Sequence, residues 1–259
     1  MPLVVVDLKE MAKIADKNLV LPIGKAAKLL GISISTLRRM DDRGIIDTVR
    51  DVERGKRYFF KADLLNIKFN EYKLAREWVQ PNNHPDLKKY KNFYYPIEAT
   101  LTGKVTIEAR QMLQGLVSDD YISVVISAAM ELVGNAFYHN QGQWPDIEGA
   151  FYAIDITGRR IIIADRGVGL LKNLKLVRKS LNSHIDALKV AFTEQISSRG
   201  VGGHRGYGLK HARMCVVREL KKLIYQTGNA RLEIRAKDNN LYTDVVSNPI
   251  QGCFAVIEF

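Results

Sequence analysis

Residues 121–140 read YISVVISAAMELVGNAFYHN, and the spacing of the apolar side chains in this stretch decides the fold class. Ile122, Val125, Ile126, Ala129, Leu132, Val133 and Ala136 recur at steps of three and four, which is the period of one helical face. Ser118, Asp119 or Asp120 stands where an N-cap would satisfy the first free N–H groups. Glu131, Asn135 and His139 lie four apart, so they share a face beside the apolar stripe rather than within it. A carboxylate and an amide one turn apart suit an oxygen-seeking cation such as Mg²⁺ and the activation of water. Alone, such a pair is more commonly a solvated face.

Working outward, GAFYAIDIT (149–157) and RRIIIADRG (159–167) are β-branched or aromatic runs separated by Thr157-Gly158, a hairpin signal. Asp165 falls at the end of the second run, with Gly167 and Gly169 behind it. ARLEIRA (230–236), LYTDVV (241–246) and CFAVIEF (253–259) read as further strands. Between them, RGVGGHRGYGLKH (199–211) places five glycines in ten positions directly before a helical run. Glycine belongs where the backbone needs positive φ or a close approach, and before a helix the approaching group is often an anion. The pattern is neither a Walker A loop, since no G-x-x-x-x-G-K-[ST] occurs, nor a dinucleotide fingerprint, since Lys172 holds the third glycine position. Metal-hydrolase and Ser-His-Asp spacings are absent.

Near the N-terminus, LPIGKAAKLLGISISTLRRMDDRGII (21–46) reads as a short helix, a turn at Gly31, and a second helix beginning near Ser33–Ser35. Leu29, Leu30, Ile34 and Leu37 are the residues expected to lock the two helices together. This is helix-turn-helix spacing, and Ser33, Ser35, Thr36, Arg38 and Arg39 stand where a recognition helix meets DNA. Residues 22–68 hold 11 Lys/Arg against 6 Asp/Glu, which concentrates basic character in a small part of the chain. A hairpin-like wing, VRDVERGKRYFF (49–60), follows.

The whole chain has 259 residues, a net charge of +11, 46% hydrophobic and 26% charged residues. That balance supports a sizeable core, and the basic surplus suggests an acidic partner such as nucleic acid. The opening MPLVVVDLKEMAK (1–13) lacks a basic n-region, so it does not read as a secretory signal. No run is expected to cross a membrane. Cys215 and Cys253 are far apart and form no C-x-x-C, which fits reduced core thiols in a cytoplasmic protein.

Two resemblances follow from these motifs. IGKAAKLLGISISTLRRMDDRGII, the arginine of DTVR and the GKRYF wing resemble the winged helix-turn-helix of the MerR and excisionase-like families. That resemblance implies contacts to double-stranded DNA from Ser35, Thr36, Arg38, Arg39, Arg50, Lys56, Arg57 and Tyr58. Met40-Asp41 departs from it, and the acidic pair Asp41-Asp42 is expected to repel phosphate locally. ELVGNAFYH, DRGVG, GGHRGYGL and NPIQGCFAVIEF are together similar to the N-box, glycine boxes and closing strand of the GHKL superfamily of ATP-binding domains.

The second resemblance implies an α/β sandwich with ATP between its helices and a lid from residues 170–202. Asp165 would hold the adenine amine, with Gly167 and Gly169 shaping its pocket. Asn135 would ligate Mg²⁺, and Gly203, His204, Arg205, Gly206, Gly208 and Leu209 would meet the phosphates. Glu131 takes the place of a water-activating glutamate. His84-Pro85-Asp86 does not resemble a phospho-acceptor helix, so an autophosphorylating kinase is not expected.

The overall expectation is an α+β chain: a winged helix-turn-helix (1–68), a connector (69–117) and a two-layer α/β GHKL-type ATP-binding domain (118–259). It describes a cytoplasmic, ATP-binding and slowly hydrolysing DNA-binding regulator that acts as a homodimer, with a possible protein partner. The alternatives are a serine/threonine protein kinase similar to anti-sigma-factor kinases, and a nucleotide-sensing scaffold that never cleaves its ligand.

Overall fold

The computed structural model describes residues 20–50, 55–67, 69–155, 158–196 and 207–259. The lead-in 1–19, the wing tip 51–54 and the glycine loop with Arg199, Gly203, His204, Arg205 and Gly206 lie outside the described residues.

The N-terminal unit comprises β1 (Val20–Pro22), α1 (Ile23–Leu30), α2 (Ile34–Asp42), β2 (Thr48–Arg50), β3 (Arg57–Phe60) and α3 (Lys61–Asn66). Its three strands pair antiparallel in the order β1-β3-β2. Gly31 ends α1 with φ 68°, donating to the Ala27 and Lys28 carbonyls, and Ser33 caps α2 by accepting the Thr36 N–H at 3.0 Å. These are the two devices that a helix-turn-helix junction needs, a left-handed C-cap and a hydroxyl N-cap. The packing differs from expectation in its details. Ala26, Ala27 and Leu37 are buried, whereas Leu29 and Ile34 are 37% and 42% exposed. Small alanines let α1 approach closely, and that turns the larger side chains outward.

The chain then forms α4 (Asn70–Trp78), β4 (Tyr94–Tyr95), α5 (Glu98–Leu113), α6 (Asp119–Tyr138), β5 (Ala150–Asp155), β6 (Arg160–Asp165), α7 (Gly169–Lys175), α8 (His184–Thr193), α9 (Gly208–Arg218), β7 (Lys222–Arg235) and β8 (Tyr242–Glu258). A five-stranded antiparallel sheet runs β4-β5-β6-β8-β7. The stretch 69–117 is thus woven into it, since β4 is its edge strand and Leu101 and Val105 of α5 join the core around α6. LYTDVV and CFAVIEF belong to one 17-residue strand, and β7 begins eight residues before ARLEIRA. Register shifts at Gly228, where φ is 53°, let these two long strands bend without separating.

Strand alternation divides the apolar residues between two faces. Tyr152, Ile161, Ile163, Leu223, Tyr225, Ala255 and Ile257 meet α5 to α9. Phe151, Ala153, Ile162, Ala164, Ile224, Phe254 and Val256 meet α4 and the N-terminal unit. The sheet is therefore the middle of three layers.

Helix α6 is 20 residues long and contains an 18-residue window of mean hydropathy 1.3, so by length and composition it could cross a membrane, contrary to the expectation that no stretch would. In this fold its apolar stripe lies in the core: Ile122, Val125, Ala129, Leu132, Val133 and Ala136 are buried, and Ile126 is half-buried. Ser118 caps it, accepting the Tyr121 N–H at 3.2 Å. Cys215 and Cys253 are buried free thiols, as expected.

Candidate nucleic-acid interface and ligand pocket

Helix α2 presents Ser35, Arg38 and Arg39 to solvent, with Thr36 half-buried. Arg50 and Lys56 are exposed at the ends of β2 and β3, and Arg57 and Tyr58 are half-buried. Asp41 does not face outward to repel phosphate. It is 2% exposed, accepts the Thr48 hydroxyl at 2.9 Å and Asn248 Nδ2 at 3.2 Å, and pairs with Arg57 at 2.7 Å. Asp42 takes the same Arg57 guanidinium at 3.0 Å. Arg57 therefore holds the wing to the end of α2, leaving Arg38, Arg39, Arg50 and Lys56 as the exposed cations among the predicted DNA-contacting residues.

A pocket of about 300 Å³ opens on the helical side of the sheet. Its wall gathers Glu131 and Asn135 of α6 with Gly208 and Leu209 at the start of α9, closed by Leu170, Leu174 and Ile196. Asn135 Nδ2 donates to the Tyr225 hydroxyl at 3.0 Å, which fixes the amide and leaves its oxygen as the acceptor. A Cβ on Gly208 would lie 2.7 Å from Glu131 Oε2, so a larger residue there would push the carboxylate away from the helix start. His139 lines the same pocket.

Asp165 sits beside this wall rather than on it. Its Oδ1 accepts the Gly167 N–H at 2.8 Å and Asn140 Nδ2 at 3.1 Å, and Asn140 Oδ1 accepts the Val168 N–H at 3.0 Å. Burial pushes the Asp165 carboxyl up to about 7, against the lowering effect of those hydrogen bonds. Glycines wrap it closely. A Cβ on Gly167 would overlap the Asn140 amide, and one on Gly252, where φ is 70°, would overlap the Asp165 carbonyl. Gly169, with φ 75°, passes Thr227, whose hydroxyl accepts the Leu170 N–H at 3.2 Å and donates to the Gly252 carbonyl at 3.1 Å. Leu170 connects this cluster to the pocket, since it lines that wall.

Residues 170–193, expected as part of a mobile lid over 170–202, fall almost wholly in α7 and α8 and the turn between them, with Leu170, Leu174, Ala187, Leu188 and Phe192 buried. Sequence reasoning missed Asn140, Tyr225 and Thr227. It also missed Arg166, which is 0% exposed and reaches across the molecule. Arg166 donates to the carbonyls of Trp78, Gln80 and Asn83 and pairs with Asp146 at 2.6 Å.

Among the described residues, no group of three or more His, Cys, Asp or Glu side chains could hold a metal ion by itself. A cation here would need ligand oxygens in addition to Asn135 Oδ1, which is how Mg²⁺ binds beside phosphates.

Comparison with known proteins bears on the first of these sites. A family model described as MerR family regulatory protein matches residues 22–59. Residues 22–59 are thus similar to the helix-turn-helix of MerR-type regulators, which supports a DNA-binding regulatory role. The chain is also similar to the Type II methyltransferase M.Eco47II of Escherichia coli, 26% identical over 138 residues, or 53% of this chain and 30% of that protein. The chain thus spans less than a third of that relative's length, and a stretch this long necessarily crosses α6.

Proposed function

We propose that the chain is a DNA-binding regulator whose state is set by ATP and Mg²⁺, the nucleotide occupying the pocket between α6, α7 and α9. One observation carries the nucleotide half of this reading: a single cavity gathers a carboxylate, an amide with a free oxygen and a glycine-started helix, all beside a buried aspartate. Asp165 would accept the adenine amine, and Asn140 and Gly167 hold its carboxylate in place. Gly167 and Gly169 let Asn140 and Thr227 pack closely around it. The α9 N-terminus, with Gly208 and Leu209, would receive phosphate through exposed N–H groups. Gly203, His204, Arg205 and Gly206 would extend that cradle, as the GHKL resemblance implies.

The fixed Asn135 amide fits Mg²⁺, which when bound would neutralise phosphate charge. Glu131 would orient and deprotonate the attacking water. On the opposite layer, Ser35, Thr36, Arg38 and Arg39 would enter the major groove. Arg50, Lys56, Arg57 and Tyr58 would flank the backbone, and a homodimer would read paired half-sites. Such a protein would work in the cytoplasm, where DNA and ATP meet. The methyl transfer in the relative's name is left with that protein.

A calorimetric titration with Mg-ATP tests the pocket; saturable heat supports the reading, and no heat at millimolar nucleotide overturns it. Duplex binding measured with and without Mg-ATP then tests regulation, because equal affinities would remove the link. Label appearing on a protein rather than as free phosphate would identify a kinase instead.

A further inference from the structure

The chain's surplus charge is not concentrated around the reading helix. Residues 172–237 hold 15 Lys/Arg against 4 Asp/Glu, a surplus of eleven, while residues 22–68 hold a surplus of five. Three of those fifteen cations, Lys210, Arg213 and Arg218, lie on one side of α9. Lys210, Arg213, Met214, Val217 and Arg218 recur at three- and four-residue steps, so they form a stripe, and they line a groove of about 270 Å³ with Phe192 and Asn239. The stripe faces away from α6, toward which α9 instead turns His211, whose Nε2 lies 2.8 Å from the Ser127 hydroxyl.

Arg213 is fixed in the groove by donating to the Asn239 carbonyl at 2.6 Å and the Phe192 carbonyl at 3.4 Å. Lys189, Lys221 and Lys237 are exposed. Two carboxylates are near in sequence. Asp238 accepts the Tyr242 hydroxyl at 2.6 Å and the Asn240 amide, and Glu219 is exposed beside Arg218.

We propose that this α9 groove is a second nucleic-acid surface that grips the phosphate backbone of a duplex without reading its sequence. Three cations on one helix face, with Met214 the one exposed apolar side chain among Phe192, Met214 and Val217, favour a regular polyanion over a folded protein partner, and the same chain already carries a helix-turn-helix similar to DNA-binding regulators. The layer order adds a geometric consequence. Helix α2 belongs to the layer behind the sheet and α9 to the layer in front, so one straight duplex cannot lie on both. Each molecule therefore bridges two DNA segments, or two parts of one looped segment.

Capture of a labelled random-sequence duplex by the full-length protein on an immobilised duplex tests this. The variant Lys210→Ala/Arg218→Ala/Lys237→Ala is expected to reduce capture at least tenfold. It should also make the slope of log K against log salt shallower by about 2 to 3, at roughly 0.9 for each phosphate no longer neutralised. Its melting temperature should stay near that of wild type, because none of the three side chains is buried. If the triple variant does not fold, the single charge reversal Lys237→Glu is used in the same assay and should also reduce capture. Unchanged capture and slope would overturn the proposal, since bridging would then come from paired α2 helices alone. Binding to phosphatidylglycerol vesicles that random duplex fails to displace would overturn it in favour of a membrane surface.

Discussion

Asp165 concentrates the argument at the scale of single residues. Its carboxyl is buried with a folded pKa of about 7, above the ordinary 3.8, because desolvation outweighs the hydrogen bonds from Gly167, Asn140 and Cys253. The native state therefore holds this proton more tightly than the unfolded chain does. Its contribution to stability is complete below about pH 4 and is lost as pH rises through about 7. Asp47, raised to about 6 by burial, acts in the same direction, so a variant is needed to separate the two. Melting measured between pH 5 and 8 should show wild type losing more stability than Asp165→Asn. In the nucleotide reading, the ionised carboxylate accepts the adenine amine, so ATP affinity should rise over that same window. At a hundred times its dissociation constant ATP should stabilise wild type by about 2.7 kcal/mol. Thermal shift on Asp165→Asn should show none of that gain, because an amide N–H₂ there opposes a donor.

At the scale of elements, the facing pair α6 and α9 places Glu131 over the helix start, and α2 places its arginines outward. Glu131→Gln keeps the side chain's shape and removes its basicity. Phosphate release should fall roughly 10²-fold or more, with the ATP-induced melting shift retained. Loss of both would instead assign Glu131 to binding. Arg38→Ala/Arg39→Ala should weaken duplex binding and make the salt slope shallower by about 2, as anisotropy across a salt series would show. Helices α6 and α2 were legible in the sequence because a 3.6-residue period and a Gly31–Ser33 turn are local signals. The second half of the site was not. Asn140 meets Asp165 across 25 residues and Thr227 meets Leu170 across 57, so neither position has a signal in its own neighbourhood. Strand β7 was half-hidden for a related reason. KLIYQT is almost wholly buried, so it lacks the alternation that reveals a half-solvated strand, and Pro249 and Gly252 made one β8 look like two.

At the scale of the whole molecule, the N-terminal unit is packed onto the back of the five-stranded sheet rather than tethered to it. Phe59, Leu64, Tyr72 and Trp78 share a core with Phe151, Ile162, Ile224 and Phe254 from the back of the sheet. Polar groups cross the same seam. Arg231 of β7 pairs with Asp63 of α3 at 3.2 Å, and Arg76 of α4 pairs with Asp47 at 2.8 Å while donating to Gln226 of β7. Composition and punctuation suggest a cut near residue 117, because they register where elements start and stop but not which face of a sheet is covered. A fragment of residues 118–259 would expose that apolar face, lose β4 and α5, and take Asp63 away from Arg231, which would keep only Glu233 at 3.4 Å. The fragment should therefore bind a hydrophobic dye and melt without a cooperative transition, while full-length protein melts sharply. A sharp melt of the fragment near the full-length temperature would show that the two units are independent. In that case no packed seam would be left to carry a signal from nucleotide to DNA.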